Sequence, residues 1–292
     1  MPLRAQNASI QPNAPNLQVY RDPKVVSHYA SLDYLTACER HLFDSYLTPG
    51  MAILDMGVGG GRTTPYLSRK ASRYVGVDYS EEMVRFCRDK FPQLEFLVSD
   101  ASDLSKLSDG SFDAIVFAFN GLDYLFSEEQ RWQCLRECGR VLRTGGLFVF
   151  SSHNPRSIFV RPAWDRERLH TFAGKLVSDR SVLYSVILST LTVVKALHSF
   201  FRAAAESVGR ICWRVSKKAF WQREGYVFDP AHGGLMTHYC TPARVGEELT
   251  RFKFRQEALL GDDHPRRSHE FVTDWYYYVF IKADSGAEES CA

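Results

Sequence analysis

The sequence predicts an α/β fold whose core is a mostly parallel sheet of seven strands, with helices on both faces. The first observation is an apolar segment, residues 52–54, that runs directly into a turn with glycines at alternate positions. The second is that apolar segments at residues 74–77 and 94–98 follow it, separated by a helical pattern. Strands that alternate with helices are typical of parallel pairing through crossover connections.

The glycine turn after the first strand predicts a ligand site. Gly57, Gly59 and Gly61 remove side chains where a ligand must touch the backbone, and the helix that follows points free N–H groups at it. Asp55, just before the first glycine, would repel a pyrophosphate and attract a cationic group. Asp78 ends the second strand about 20 residues later, the spacing at which an acid accepts both ribose hydroxyls.

Polar residues end the later strands as well. The third strand ends in Ser99-Asp100-Ala101, which can recognise an adenine amino group. The fourth and fifth strands are predicted at residues 112–119 and 147–151, and the sixth and seventh at 254–260 and 274–282. Reacting groups in open parallel sheets lie at the carboxyl ends of strands. The candidate substrate-binding residues are Asn120, Asp123, Tyr124, Asn154 and, after a long insertion, Tyr239.

Five ordered motifs resemble a known family. They are ILDMGVGGG, YVGVDYS, LVSDASDL, SFDAIVFAFNGLDYL and RVLRTGGLFVFSSHN, within residues 50–154, with a weaker echo over residues 235–283. In this order and spacing they resemble class I S-adenosylmethionine-dependent methyltransferases of the small-molecule type. The resemblance implies a Rossmann-like sheet whose last strand is antiparallel, and S-adenosyl-L-methionine as the cofactor.

The resemblance also implies cofactor-binding roles. Asp55 and the three glycines would line the methionine part of the cofactor. Asp78, with the adjoining Tyr79, would bind the ribose, and Asp100 with the Ala101 amide would bind the adenine.

The same resemblance implies a covering segment at the N-terminus. The carbonyls near Ala118 and Phe119 would receive the ammonium group of the cofactor. Helices at residues 25–50 would lie over it, with Tyr29 capping the methionine end or serving as a plain core tyrosine. Residues 1–24, rich in Asn, Gln and Pro, are predicted to form a flexible tail.

A long insertion interrupts the family pattern. Residues 155–234 carry apolar side chains at three- and four-residue steps, which predicts a large helical insert after the fifth strand. Residues 195–224 are basic and aromatic, so the insert is either a lid over the substrate or a surface that makes peripheral contact with an anionic membrane. The predicted organisation is a cofactor-binding core at 51–154, the insert, a completion of the sheet at 235–283 and a tail at 284–292.

The composition limits the kinds of molecule that this chain is expected to bind. A net charge of +2 and 24% charged residues argue against a nucleic-acid-binding protein. The seven cysteines are scattered and contain no CxxC pair, which favours a reducing cytoplasm over a disulfide framework and indicates no metal site. The composition leaves the oligomeric state open.

The expected chemistry is methyl transfer to an O, N or C atom of a small or medium-sized molecule, such as a natural product, a sugar derivative or a quinone-like lipid. A hydroxyl or acidic carbon needs a general base, and His153 and His238 are the candidates. The alternative is a membrane-surface enzyme for a lipid-linked or peptide substrate. More remote alternatives are a nicotinamide-dependent dehydrogenase and a non-catalytic cofactor-binding regulator.

Overall fold

A computed structural model describes residues 16, 19–20, 22–160, 182–216, 221, 223–229 and 235–284. Most of the predicted N-terminal tail and all of the chain after residue 284 lie outside these residues, as do residues 161–181, 217–220, 222 and 230–234 of the predicted insert. The chain forms two compact units. The first contains Met1–Pro155, Gln222–Ser268 and Thr273–Ala292, and the second contains Arg156–Trp221 and His269–Val272.

Within the described residues, nine strands form one sheet in the first unit. They are β1 Met51–Met56, β2 Ala71–Asp78, β3 Glu95–Val98, β4 Phe112–Phe117, β5 Leu142–His153, β6 Glu224–Asp229, β7 Leu235–Cys240, β8 Phe254–Gly261 and β9 Trp275–Lys282. The first five lie side by side and parallel in the order β3-β2-β1-β4-β5. β9 runs antiparallel between β5 and β8, which confirms the predicted antiparallel last strand.

The hairpin of β6 and β7 adds two strands to the predicted seven. The two pair antiparallel, and Tyr239 of β7 pairs in parallel with His153 at the end of β5. β9 pairs with one edge of β5 as far as His153. β4 pairs with the other edge as far as Phe150, so β7 pairs with that same edge further along, at His153. The helical prediction for the end of the insert missed β6, since EGYVFD is too short a segment to show a period of its own.

The described residues contain seven helices. They are α1 Pro23–Ala30, α2 Ala37–Tyr46, α3 Thr64–Lys70, α4 Glu81–Lys90, α5 Glu128–Val141, α6 Val182–Ser216 and α7 Pro242–Arg251. α2 begins with a capping box, in which Thr36 accepts from the Glu39 backbone and Glu39 accepts from the Thr36 backbone. α4 begins at Ser80, whose hydroxyl accepts from the Met83 N–H. A 3₁₀ turn, Gly121–Tyr124, follows β4.

The sheet of the first unit is covered on both faces. Ile53 of β1 packs into one buried apolar cluster, while Leu54 and Met56 pack into another. This alternation follows from the two-residue period of a strand. A sheet buried on both faces leaves only its edges and strand ends for function, and the polar residues concentrate at the carboxyl ends.

The second unit is built on α6. Within that unit, Arg156 pairs with Glu270, and the backbone N–H of Val160 donates to Ser207 of α6. Among the described residues, the structure contains no helix that is long and apolar enough to cross a membrane.

Candidate functional site

In the glycine turn at the end of β1, neighbouring groups lie so close to the backbone that they leave no room for side chains. Gly57 has a φ of 59°, and a Cβ there would lie 2.8 Å from the Phe117 ring. A Cβ on Gly60 would lie 2.5 Å from the carbonyl oxygen of Tyr29 and 2.6 Å from the backbone of Ala30. The end of α1 therefore packs directly on the turn, an approach that only glycine permits.

Asp78, at the end of β2, offers a buried carboxylate beside this turn. One of its oxygens accepts from the Gly59 N–H and the other from the Ser80 N–H, both at 2.9 Å. Burial raises the pKa of this carboxyl to about 6, although the two backbone donors oppose the shift. Asp78 thus links the glycine turn to α4, and its oxygens lie where a polar ligand can reach them.

A cavity opens between these elements, with about 950 Å³ not occupied by protein atoms, part of it open to solvent. That size suits a small-molecule ligand. Its lining contains nine of the eleven predicted cofactor-binding residues and the predicted substrate-binding residue Tyr124. The nine are Tyr29, Gly57, Gly59, Asp78, Tyr79, Asp100, Ala101, Ala118 and Phe119. The cavity wall also contains residues that sequence analysis did not select, among them Tyr20, Leu32, Gly60, Arg62, Met83 and Ser99.

Asp55 occupies a different place from the one predicted. Its carboxylate accepts from the hydroxyls of Thr63 and Tyr74, at 2.7 and 2.8 Å, and its side chain does not line the cavity. Burial raises its pKa to about 6, against these two hydrogen bonds. Asp55 therefore holds the glycine turn to β2. Gly61 also lies outside the cavity wall, because it packs against Phe91.

Arg62 supplies the cation of the cavity wall. Its guanidinium forms a two-pronged ion pair with Glu39, at 2.5 and 2.7 Å, and lies 3.9 Å from the centroid of the Phe119 ring. Glu39 is 1% exposed, so the pair is desolvated as well as hydrogen-bonded. The sequence did show the Thr36–Glu39 capping spacing, which could have identified Glu39 as a buried anchor.

Four tyrosines surround the cavity. Tyr20 contacts Tyr29, Tyr79 and Tyr124, with ring centroids 5.8 to 6.4 Å apart. Residue 20 belongs to the predicted flexible tail, yet the structure packs it here. Asn16 explains this difference: it is fully buried, donates to the carbonyls of Tyr124 and Met236, and accepts from the Met236 N–H.

The backbone at the end of β4 is strained. Phe119 and Asn120 have φ values of 52° and 59°, a left-handed conformation that costs non-glycine residues about 1 kcal/mol or more each. The Asn120 N–H donates to Ser151 Oγ at 2.8 Å, which helps to hold this conformation. Within the described part of the chain, the buried Oδ1 of Asn120 has no hydrogen-bond partner. An unpaired buried acceptor beside a cavity is suited to a ligand donor.

Five buried ionisable side chains lie next to this turn and are called the buried charge cluster. They are Asp123, Arg131, His153, His238 and Glu248. Asp123 accepts from both the backbone N–H and Nδ1 of His153, at 2.7 and 2.9 Å. Because a carboxylate only accepts, Nδ1 carries the proton, and Nε2 accepts from Asn120 Nδ2 at 3.1 Å. Burial would raise the pKa of Asp123, but His153 and then Arg131 outweigh it and lower the pKa.

The other members of the buried charge cluster are held in fixed positions. Arg131 forms a two-pronged ion pair with Glu248. Burial alone would lower the pKa of Arg131, but Glu248 and Asp123 outweigh it and raise the pKa. His238 Nδ1 lies 4.0 Å from Asp123 Oδ1, beyond hydrogen-bond distance. Burial lowers the pKa of His238 to about 3, so this imidazole stays neutral and is a weak base.

The remaining predicted site residues lie outside the cavity wall. Asn154 is buried and donates to the carbonyl oxygen of Thr273 at 2.8 Å. Tyr239 is buried on β7, with its ring 5.2 Å from that of His153. His153 itself is 4% exposed and meets the cavity wall through Tyr124, whose ring centroid is 5.9 Å away.

Comparison with protein families agrees with this geometry. Residues 53–146 match the family described as "Methyltransferase domain". The chain is similar to a fatty-acid O-methyltransferase of Mycolicibacterium smegmatis, with 30% identity over 165 residues, which cover 55% of this chain and 57% of that protein. It is also similar to a demethylmenaquinone methyltransferase of Thermotoga maritima, with 38% identity over 99 residues, 33% of this chain and 41% of that protein. The chain thus spans little more than half of the first relative and less of the others.

Solved structures share the fold. A 1,6-didemethyltoxoflavin-N1-methyltransferase of Burkholderia thailandensis, with bound 1,6-didemethyltoxoflavin and S-adenosylhomocysteine, aligns with a TM-score of 0.54 at 14% identity, over 93% of this chain and 87% of that chain. A SAM-dependent methyltransferase of Methanosarcina mazei aligns with a TM-score of 0.52 at 18% identity, over 86% and 99% of the two chains.

Proposed function

We propose that this chain, whose residues 53–146 match the family described as "Methyltransferase domain", transfers a methyl group from S-adenosylmethionine to a small or medium-sized molecule. The observation that carries the proposal is the cavity at the carboxyl ends of β1, β2 and β4. There, glycine backbone and a buried carboxylate face one space of ligand size.

The cavity wall fits the proposed cofactor. Gly57, Gly59 and Gly60 leave backbone without side chains along one wall, and Asp78 offers acceptor oxygens for two ribose hydroxyls. Asp100 and the Ala101 backbone lie in the same wall and would recognise adenine. When bound, S-adenosylmethionine supplies an activated methyl group on its sulfonium centre.

Arg62 and the tyrosines would complete the site. The Arg62 guanidinium lies in the cavity wall and would face the carboxylate of the cofactor's amino-acid end. Tyr20, Tyr29 and Tyr124 would enclose the ligand and exclude water, since their rings contact one another around the space. Exclusion of water and alignment are the main contributions a protein makes to this class of reaction.

His153 would serve as the general base for a protic acceptor. Asp123 fixes the tautomer with the proton on Nδ1, which leaves the lone pair of Nε2 as the proton acceptor. A substrate hydroxyl would take the place of the Asn120 amide and donate its proton to His153 Nε2. Asn120 and Tyr124 would then form the substrate end of the site, with Asp123 holding His153 in position. His238 is the weaker candidate because its pKa lies near 3.

The substrate class follows from the same features. A wall of tyrosines and apolar side chains favours an aromatic or lipid-like acceptor, such as a natural product or quinone-like molecule, over a highly charged one. The relatives named above act on a fatty acid, a quinone precursor and a toxoflavin precursor, which supports an acceptor of that size.

Incubation of the protein with methyl-labelled S-adenosylmethionine and an extract of the source cells tests the proposal. We expect label in one small molecule, identified by mass spectrometry, and no label in nucleic acid. Asp78→Ala serves as the comparison variant and should form less product at the same cofactor concentration. Failure to bind S-adenosylhomocysteine in calorimetry would contradict the cofactor assignment, whereas binding without any labelled product would leave a non-catalytic role.

A further inference from the structure

Helix α6 carries a stripe of apolar side chains that faces solvent. Its most exposed members are Val194, Leu197, Phe201 and Val208, at 55%, 51%, 66% and 60% exposure. Steps of three, four and seven residues place them on one side of an α-helix. Ala203, on the opposite side, is 6% exposed, so that side packs within the second unit. The stripe is therefore a continuous apolar surface without a partner among the described residues.

Positive charge lies beside this stripe. Residues 195–221 contain six Lys or Arg residues and one acid, Glu206, while the whole chain has a net charge of only +2. Lys195 and Arg202 are exposed and lie on one flank of the stripe, about a quarter turn away, where Arg202 also pairs with Glu206 at 2.8 Å. Trp221, 75% exposed, ends the segment. An exposed apolar stripe flanked by cations and an aromatic residue is typical of a helix that lies in a membrane interface.

The same charges disfavour a second copy of this chain as the partner. Pairing two copies of α6 through the stripe would bring two strongly basic segments together, and like charges repel. An anionic bilayer instead offers acyl chains to the apolar stripe and negative headgroups to its flanking cations.

We propose that the apolar stripe of α6 docks this protein on the surface of an anionic lipid bilayer. The helix lies in the plane of the interface, with Leu197 and Phe201 among the acyl chains and Lys195 and Arg202 at the headgroups. The inference concerns the second unit and is independent of the methyl-transfer proposal.

Co-sedimentation with lipid vesicles tests the proposal. The full chain should pellet at least tenfold more with vesicles of phosphatidylcholine containing phosphatidylglycerol than with phosphatidylcholine alone, and high salt should reduce the bound fraction. The triple variant Leu197→Ser, Phe201→Ser, Val208→Ser should bind at least tenfold more weakly. Phe228→Ser, which removes an exposed aromatic side chain of β6 in the first unit, is the matched control and should bind as wild type.

Cysteine labelling gives an independent readout. Among the described cysteines, Cys212 is the exposed one, and it lies four residues after Val208 on the same side of α6. In a Cys291→Ser background, maleimide should modify Cys212 readily in solution and at least fivefold more slowly with anionic vesicles. Thermal melting of the triple variant at the wild-type temperature shows that its fold is intact.

Three results would overturn the proposal. The first is equal pelleting of wild type and triple variant, or none at all. The second is a dimer in sedimentation velocity that the triple variant dissociates, which assigns the stripe to a second copy. The third is slow labelling of Cys212 without vesicles, which assigns the stripe to another segment of this chain, such as residues 161–181.

Discussion

The cavity beside the glycine turn and the buried charge cluster both place an acid at the end of the parallel sheet, yet the two acids behave in opposite ways. Asp78 receives only backbone N–H groups, so burial dominates and its pKa is raised to about 6. Asp123 lies next to His153 and Arg131, and its hydrogen bond with His153 and the charge of Arg131 lower its pKa despite complete burial. An acid that receives only backbone N–H groups is available to a ligand, whereas an acid held by an imidazole and a guanidinium is committed to holding its neighbours.

Removal of an acid from the buried charge cluster should produce the largest loss of stability. Glu248→Ala strips Arg131 of its two-pronged partner and leaves a buried cation facing Asp123 alone. We expect a loss of about 3–5 kcal/mol in the free energy of unfolding, measured in urea. Glu247→Ala, at the exposed neighbouring position paired with Arg223, is the control and should leave the midpoint unchanged. Equal effects of the two variants would show that the cluster does not anchor α5 to α7.

Removal of the histidine should separate catalysis from binding. His153→Ala should lower kcat about 100- to 10,000-fold with little change in KM, because a general base acts on the transition state. His238→Ala, a buried neighbour with a pKa near 3, is the control and should change kcat far less. Losses of kcat and binding in equal proportion would make His153 a wall residue. The assay uses the labelled product identified from the cell extract.

Loss of the cavity acid should weaken ligand binding. Asp78→Ala leaves two ribose hydroxyls unpaired, which costs about 1–3 kcal/mol of S-adenosylhomocysteine affinity in calorimetry. Asp55→Asn is the matched variant, since this acid is equally buried but does not line the cavity. It should affect thermal stability more than affinity. Unchanged affinity in Asp78→Ala would remove Asp78 from the ligand site.

The pH dependence of binding should report the raised pKa of Asp78. Its carboxyl in the folded chain is protonated below about pH 6, and the ligand hydroxyls bind best to the ionised form. Affinity for S-adenosylhomocysteine should therefore fall about tenfold from pH 7 to pH 5 and stay constant above pH 7. Asp78→Asn, which cannot ionise, should flatten the profile. An unchanged profile in this variant would assign the titration to another group.

The structural features of the first unit that could be predicted are those that depend on neighbouring residues in the sequence. The glycine turn, the strand ends at Asp78 and Asp100, and the cap at Ser80 depend on residues close together in sequence. Apolar runs gave the parallel strands for the same reason, since burial on both faces requires near-continuous hydrophobicity. The antiparallel last strand came from the family resemblance and is present as β9.

Long-range contacts were beyond the sequence. The Arg62–Glu39 pair, Asn16 on the Met236 backbone, and Arg131 on Glu248 join residues 23 to 220 positions apart. No periodic pattern of apolar and polar residues marks such pairs. A single sequence also does not show which of its many charged residues will be buried together. The hairpin of β6 and β7 was missed for a related reason, because its strands are stabilised by the end of β5.

The sequence by itself determined where the parallel strands β1 to β5 lie along the chain, the glycine turn and the acids that end β2 and β3, because hydrophobic period and backbone chemistry are properties of neighbouring residues. Only the tertiary structure decided what each acid does. It turned Asp55 inward onto Thr63 and Tyr74, left Asp78 facing the cavity, and bound Asp123 to His153. The role of a carboxylate depends on which donors and cations surround it, and folding brings those from distant parts of the chain.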